Sequence, residues 1–402
     1  KSSPGPIAGR SLRSFGFHCI PKLFSARELV VNRKQFQERL KKAISEEERT
    51  SLFDSYAEEL FVRENYSEAI RIYSQALKIS KLQNEKAYFA GQIGICYFNA
   101  GKDREAFTYL LKSARLFSPD KPEFMQDMYG FVFFHLGSLY EYHGKIIKSL
   151  EARKICEQYI ESQEKDTRWM LYAGLSRNYE ALGQHDEAIR YSQKAIQVLS
   201  DNDPGLSYLY ESMGNSYMGL KQFHEAIKHF SKVLELDPNF ERRDEIHLKM
   251  GDCHRQLANY TMALESYDKI LELKRITGKK KDLVWIHLKM AECHFRLESF
   301  EKSLLVTLEI LRHNPRNKQE KAEARSYLTN NYYEMGRYKE AVEEGEKTVM
   351  LSKRFPNDDL FYSRMALSYH KLGDKKAFSK YRALFRKMYK EDNWNKYLEK
   401  LG

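Results

Sequence analysis

Two stretches of the chain nearly repeat one another: Ile246-His247-Leu248-Lys249-Met250-Gly251-Asp252-Cys253-His254 and Ile286-His287-Leu288-Lys289-Met290-Ala291-Glu292-Cys293-His294. Two cysteines and four histidines in matching positions are the ligand types of a zinc site. Spacing argues against one. Equivalent atoms on stacked helices lie about 8–10 Å apart, too far for one ion whose ligands sit at about 2.0–2.3 Å. Cysteine is also among the most commonly buried residues. No metal is therefore expected. The carboxylates Glu58, Asp252 and Glu292 would suit acid–base work only with shifted pKa values in a closed cleft. They recur at one repeat position, on a row expected to face solvent, which fits groove lining better than catalysis. No phosphate-cradling glycine loop, nucleophile elbow or paired-histidine metalloprotease motif is present. The chain reads as a non-enzyme with no cofactor.

The elements that position these residues recur nine times. Each copy has a small residue: Ala57, Gly94, Gly137, Ser176, Gly214, Gly251, Ala291, Thr329 and Ala366, at intervals of 37 to 43 residues. Three on stands a bulky residue, usually Tyr, with His254 and His294 in two copies. Seven on is a turn position, glycine in Gly101, Gly144, Gly183, Gly336 and Gly373. Twelve on is a second small residue: Ala69, Ala106, Ser149, Ala188, Ala226, Ala263, Ser303 and Ala341, with Ala377 nearest in the ninth copy. The two small residues let paired helices approach closely, the bulky one fills the remaining groove, and glycine permits a left-handed helix end. Such a pair is too short to bury its apolar face alone, so stacking supplies the rest.

These positions resemble the tetratricopeptide repeat over about residues 50–390. The short family repeat is about 34 residues, so this chain looks like the long-helix variety. The resemblance implies an all-α, right-handed α-solenoid with repeats starting near 50, 87, 130, 169, 207, 244, 284, 322 and 359. Residues 1–24 read as a flexible basic tail, 25–49 as an N-terminal capping helix and 391–402 as the end of a C-terminal cap. Ser25-Ala26-Arg27-Glu28 has the form of a capping box, and Leu29, Val30, Phe36, Leu40 and Ile44 would cover the first repeat. Tyr381, Leu384, Phe385, Met388 and Tyr389 would pack the other end, with Lys380, Arg382, Arg386, Lys387 and Lys390 mostly outside. The family pattern lapses at Arg153, Ser192, Thr307 and Gly345, where the second helix usually carries an aromatic. Looser packing is expected in those repeats.

Composition bounds the partner. The net charge of +11 favours an acidic partner, although lysine and arginine also simply solvate outer helix faces. Nucleic acid and anionic surfaces are weaker readings, supported locally by Lys279-Lys280-Lys281 and the basic last helix. No apolar run approaches the ~18–20 residues that span a bilayer. Five widely spaced cysteines are an odd number and suit a reducing cytosol better than a disulfide framework. Residues 1–27 lack Asp and Glu and read as a flexible tail, an added remnant or part of an organelle-targeting segment.

In the tetratricopeptide family the first helices line the concave surface, so the resemblance places a partner there. Tyr88, Ile95, Phe98, Phe131 and Phe134 would form an apolar pocket in repeats two and three, and Arg177, Asn215, Arg255 and Asn330 a polar stretch beyond it. Asparagine both donates and accepts, which suits a peptide backbone. Two functions follow: an interaction scaffold, or the sensory module of a larger signalling protein answering to a peptide or metabolite. Adaptors of this family that hold the acidic C-terminus of heat-shock chaperones use Lys and Asn, then Asn, then Lys and Arg on successive repeats. At the matching places here stand Asp54 and Glu58, Gly91 and Ile95, then Phe134 and Ser138; Glu211 and Asn215 are followed by Leu248 and Asp252. The chain should therefore not bind a chaperone-tail peptide. Calorimetry with such a peptide should show no micromolar association, and micromolar capture would refute the reading.

Overall fold

The computed structural model describes residues 33–117, 123–159, 165–276, 283–313, 315, 317–352 and 358–388. Among them are nineteen helices and no strand. A short α1 (Arg33–Lys42) precedes nine successive pairs. They are α2 and α3 (Glu46–Val62, Tyr66–Ile79), α4 and α5 (Gln83–Asn99, Asp103–Leu116), α6 and α7 (Glu123–Tyr142, Ile146–Glu157), and α8 and α9 (Lys165–Ala181, His185–Val198). Next come α10 and α11 (Gly205–Gly219, Phe223–Leu236), α12 and α13 (Arg243–Gln256, Tyr260–Ile276), and α14 and α15 (Val284–Arg296, Phe300–Arg312). The last are α16 and α17 (Lys318–Glu334, Tyr338–Leu351), then α18 and α19 (Asp358–Lys371, Lys375–Met388). The chain forms two compact units. One runs to Gln222 and includes Glu235–Asp237; the other holds Phe223–Leu234 and Pro238 onward. Within each unit the second helix of a pair packs on the next first helix, and neighbouring first helices such as α6 and α8, or α14 and α16, also touch. That nearest-neighbour stacking is solenoid architecture.

The close approach rests on the small residues. A Cβ on Gly94 would stand 2.7 Å from Leu110 Cγ, and one on Gly251 2.5 Å from Tyr267 Cε1. Their counterparts on the second helices, Ala106 and Ala263, are fully buried. Where the second small residue is serine, its hydroxyl ties the pair together: Ser149 Oγ donates to Gly137 O at 2.7 Å, and Ser303 Oγ to Ala291 O at 2.9 Å.

The turn is the same in all nine pairs. Its five glycines have φ of 70 to 77°, and the equivalent Glu64, Lys221, Ala258 and Glu298 have φ of 55 to 59°. In α4–α5 the Gly101 N–H donates to Phe98 O and the Lys102 N–H to Tyr97 O, closing the carbonyls that a helix end leaves open. The other turns repeat these bonds, as Ala258 to Arg255 O and Asn259 to His254 O show. The geometry is thus kept without glycine, at a steric cost of about 1–2 kcal/mol for an L-residue.

The four lapses in the pattern do not loosen the packing as expected. Arg153 occupies its slot as a fully buried, multiply bonded side chain. Ser192 joins a buried chain of hydroxyls, with Ser176 Oγ at 2.7 Å from Ser192 and 3.0 Å from Ser212. Thr307 is buried and donates to Ser303 O. Gly345 leaves room that Met365 fills; a Cβ there would overlap its sulfur. At Arg153, Ser192 and Gly345 complementary side chains, invisible from the repeat position alone, take up the place of the missing aromatic.

The ends correct one expectation. Phe36 stacks on Tyr56 with centroids 4.4 Å apart, and Leu40 is packed against the same cluster. Ile44, expected to join them, is 93% exposed. The chain breaks after Lys42 and restarts at a capping box, Ser45 Oγ accepting from the Glu48 N–H and the Glu48 carboxylate from the Ser45 N–H. At the other end Tyr381 and Phe385 are buried while Lys380, Arg386 and Lys387 are exposed. Ser25–Val30, Lys279–Lys281, Tyr389, Lys390 and residues 391–402 lie outside the described residues.

Two substitutions should have opposite signs. Ala258→Gly relieves the left-handed backbone and should stabilise by about 0.5–1 kcal/mol. Gly94→Val overfills the contact with Leu110 and should cost about 1–3 kcal/mol. Denaturant unfolding of both variants checks this.

Candidate partner-binding face

The first helices of each unit carry polar rungs that join one repeat to the next. In the first unit Tyr88 Oη donates to Asp54 at 3.0 Å, and Gln92 Nε2 donates to Tyr88 Oη. Arg177 Nε donates to Glu141 at 2.9 Å, and Ser212 Oγ to Glu180 at 3.0 Å. In the second unit Lys289 Nζ donates to Asp252 at 2.7 Å, Arg255 Nη1 to Glu292 at 3.2 Å and Arg364 Nε to Glu334 at 2.7 Å. The rungs arise because one repeat of about 37 residues returns the chain to the same helix face one layer on.

The sequence-predicted residues divide on this frame. Tyr88, Ile95, Phe98, Phe131 and Phe134 are 2–5% exposed and form inter-helix packing, Phe98 lying edge-on to His135 at 5.0 Å. In this conformation they make core, not an open pocket. Arg177 and Arg255 are half-buried and committed to rungs. Asn215, on the last first helix of its unit, is half-buried. Asn330 is different. It is 1% exposed, and neither Oδ1 nor Nδ2 has a hydrogen-bond partner.

The sequence missed the role of two residues. Arg153 reaches Asn178 Oδ1 at 2.8 Å, Gly174 O at 3.0 Å and Ser149 Oγ at 3.1 Å through Nη1, and Glu141 at 2.5 Å through Nη2. Glu141 thereby bridges Arg153 and Arg177. Burial pushes the Glu141 carboxyl up, but the two guanidinium groups outweigh it and hold it at about 2. Glu323, two helical turns before Asn330, has no side-chain ion pair or hydrogen bond among the described residues. Burial and the charges of Glu292 and Glu320 push it up to about 7, against the opposing pull of Lys289. The only signal in the sequence was acidic residues at adjacent groove positions.

Burial pushes the Cys253 and Cys293 thiols up to about 12 and lowers His254 and His294. Among the described residues no three His, Cys, Asp or Glu side chains cluster to hold an ion, and no helix is long and apolar enough to cross a membrane.

An all-α stack of helix pairs with a polar-runged first-helix face defines a repeat protein of the interaction type. Residues 207–240 match the tetratricopeptide repeat family, as do residues 171–198 and 244–277. These matches, with the repeated helix pairs, support the tetratricopeptide repeat superfamily. It is similar to human DnaJ homolog subfamily C member 7, 30% identical over 116 residues, covering 29% of this chain and 22% of that protein. It is also similar to Hsp70-Hsp90 organizing protein 1 of Arabidopsis thaliana, 28% identical over 186 residues, covering 40% of this chain and 32% of that protein. The chain thus spans a third or less of the length of these relatives. Among solved structures, the apo form of RapI aligns over 86% of this chain and 99% of its own, with a TM-score of 0.51 and 13% identity. A tetratricopeptide-repeat protein of Cytophaga hutchinsonii aligns over 67% of this chain and 98% of its own, with a TM-score of 0.48 and 21% identity.

Glu141→Gln should leave the buried Arg153 charge uncompensated and cost about 3–5 kcal/mol at neutral pH. Because the Glu141 carboxyl is depressed from 4.5 to about 2 in the folded chain, its contribution is fully present above its ordinary value and is lost as pH falls toward about 2. Wild type should therefore lose stability across that window, and the variant should lose less. Thermal unfolding against pH compares them.

Proposed function

We propose that this protein is a non-enzymatic interaction scaffold that holds a peptide or partner segment on the first-helix face of its second unit, formed by α12, α14, α16 and α18. The repeat family and the organising role named for one relative, Hsp70-Hsp90 organizing protein 1, support the scaffold class. The observation that carries the site is Asn330. A buried, unpaired amide costs about 1–3 kcal/mol, and buried polar groups are nearly always paired. Arg255 and Glu292, and Lys289 and Asp252, on the preceding first helices have paired with one another, and Asn330 keeps a donor and an acceptor unspent. A peptide bond presents the complementary carbonyl and N–H, so one backbone unit satisfies both.

The chaperone clamp is not part of the proposal. At its matching places Asp54, Phe134, Ser138 and Glu211 are buried, and Asp54 is held by Tyr88. The four described cysteines, Cys96, Cys156, Cys253 and Cys293, are free and buried, which suits a reducing compartment such as the cytosol.

Peptides selected from a random displayed library on the wild-type chain should lose affinity at least about tenfold on Asn330→Ala, as loss of a bidentate hydrogen bond implies. The melting temperature of the variant should hold or rise, because an unpaired buried amide has been removed. Retained affinity, or a marked fall in stability showing that the amide is structural, would overturn the site.

A further inference from the structure

The α14–α16 step departs from the runged pattern. At the α2–α4, α6–α8, α8–α10, α12–α14 and α16–α18 steps an acid on one first helix meets a base or hydroxyl on the next. Here Glu292 of α14 and Glu323 of α16 lie within electrostatic reach of each other, and both are acids. Glu292 is already bonded to Arg255. Among the described residues Glu323 has no hydrogen-bond or ion-pair partner for its side chain, and the residue is half-buried rather than enclosed. Asn330 lies seven residues further along α16, about two helical turns away and on the same face. It occupies the same repeat position on α16 that Glu292 occupies on α14. Its unpaired amide is almost completely buried.

We propose that Glu323, Glu292 and Asn330 form a subsite for a basic residue of a bound peptide, the carboxylates taking the side-chain ammonium or guanidinium and Asn330 the neighbouring backbone amide. This rests on the groove reading above and names the partner's chemistry. The charge on Glu323 is met from α14 by Glu292 and Lys289 and from its own helix by Glu320. On the adjoining helices, Arg364 of α18 is paired with Glu334 and Glu344 of α17 with Arg325. The base that does reach Glu323 electrostatically, Lys289, is bonded to Asp252 and leaves the Glu323 carboxyl raised, so a further cation from outside is the partner it lacks. The chain's overall charge of +11 does not forbid this, because charges farther than about 8 Å are largely screened at physiological salt. Binding should be linked to proton release, since a cation seated on Glu323 favours its ionised form.

The test uses the whole chain and three pools of N-acetylated, C-amidated fluorescent peptides carrying net positive, zero and net negative side-chain charge. Anisotropy is read at about pH 6 and about pH 8. The basic pool should bind best, about tenfold more tightly at the higher pH, as ionisation of one group with a midpoint near 7 requires. Glu323→Gln at the higher pH should reproduce the weaker wild-type affinity and remove the pH dependence. Asn330→Ala should weaken every pool that binds. Equal binding of the neutral or acidic pool, abolished by Asn330→Ala, would overturn the cation subsite and leave the groove standing. An unchanged Glu323→Gln variant would do the same. No binding by any pool would overturn both.

Discussion

The close fit of a small residue on the first helix against the second helix of its pair is the constraint on which the structure depends. At Gly94 and Leu110, or Gly251 and Tyr267, there is no room for another carbon. That closeness sets the crossing of each pair and brings the backbone of one helix within reach of a serine hydroxyl on the other. It also sets the distance at which the next pair stacks. Because first helices recur at that distance, residues one repeat apart meet on the same face, and the ion-paired rungs follow. The polar face is thus a by-product of how tightly the apolar side is closed.

The fold was legible because it is written in period. Small residue, bulky residue, turn and second small residue return at fixed offsets, and steric size alone carries that signal. The turn was partly legible: five glycines announced it, while Glu64, Lys221, Ala258 and Glu298 adopt the same left-handed backbone without announcing anything. There the flanking hydrogen bonds and the packed helices hold a conformation that local preference opposes. The lapses at Arg153 and Gly345 were legible as lapses, and their repair was not. Gly174 leaves room for the Arg153 guanidinium and Met365 fills the space above Gly345, relationships between residues some 20 positions apart that no single repeat position encodes.

The candidate site was legible in position and less so in character. Counting along the first helices put Glu292 and Asn330 at one repeat position, the one expected to line the groove. It did not tell which aromatic residues on that row point between helices. Tyr88 is held inward by Asp54 of the preceding repeat, and Phe98 by the edge of His135. Polarity on a repeat face acquires meaning only when its neighbour one layer away is known. A base beside an acid is a structural rung; an acid beside an acid, next to an unpaired amide, is not.

The invariant turn has a consequence for how this chain can change length. From the first small residue through the turn to the second, eight of the nine copies keep one count of residues, whereas the full interval ranges from 37 to 43. All of that variation therefore falls beyond the second small residue, in the ends of helices and the links between pairs. Each pair has one end that tolerates no insertion and another where residues have been added or removed without disturbing the helix contact. New loops, and any recognition they bring, can accumulate along that second edge while the polar face keeps its register.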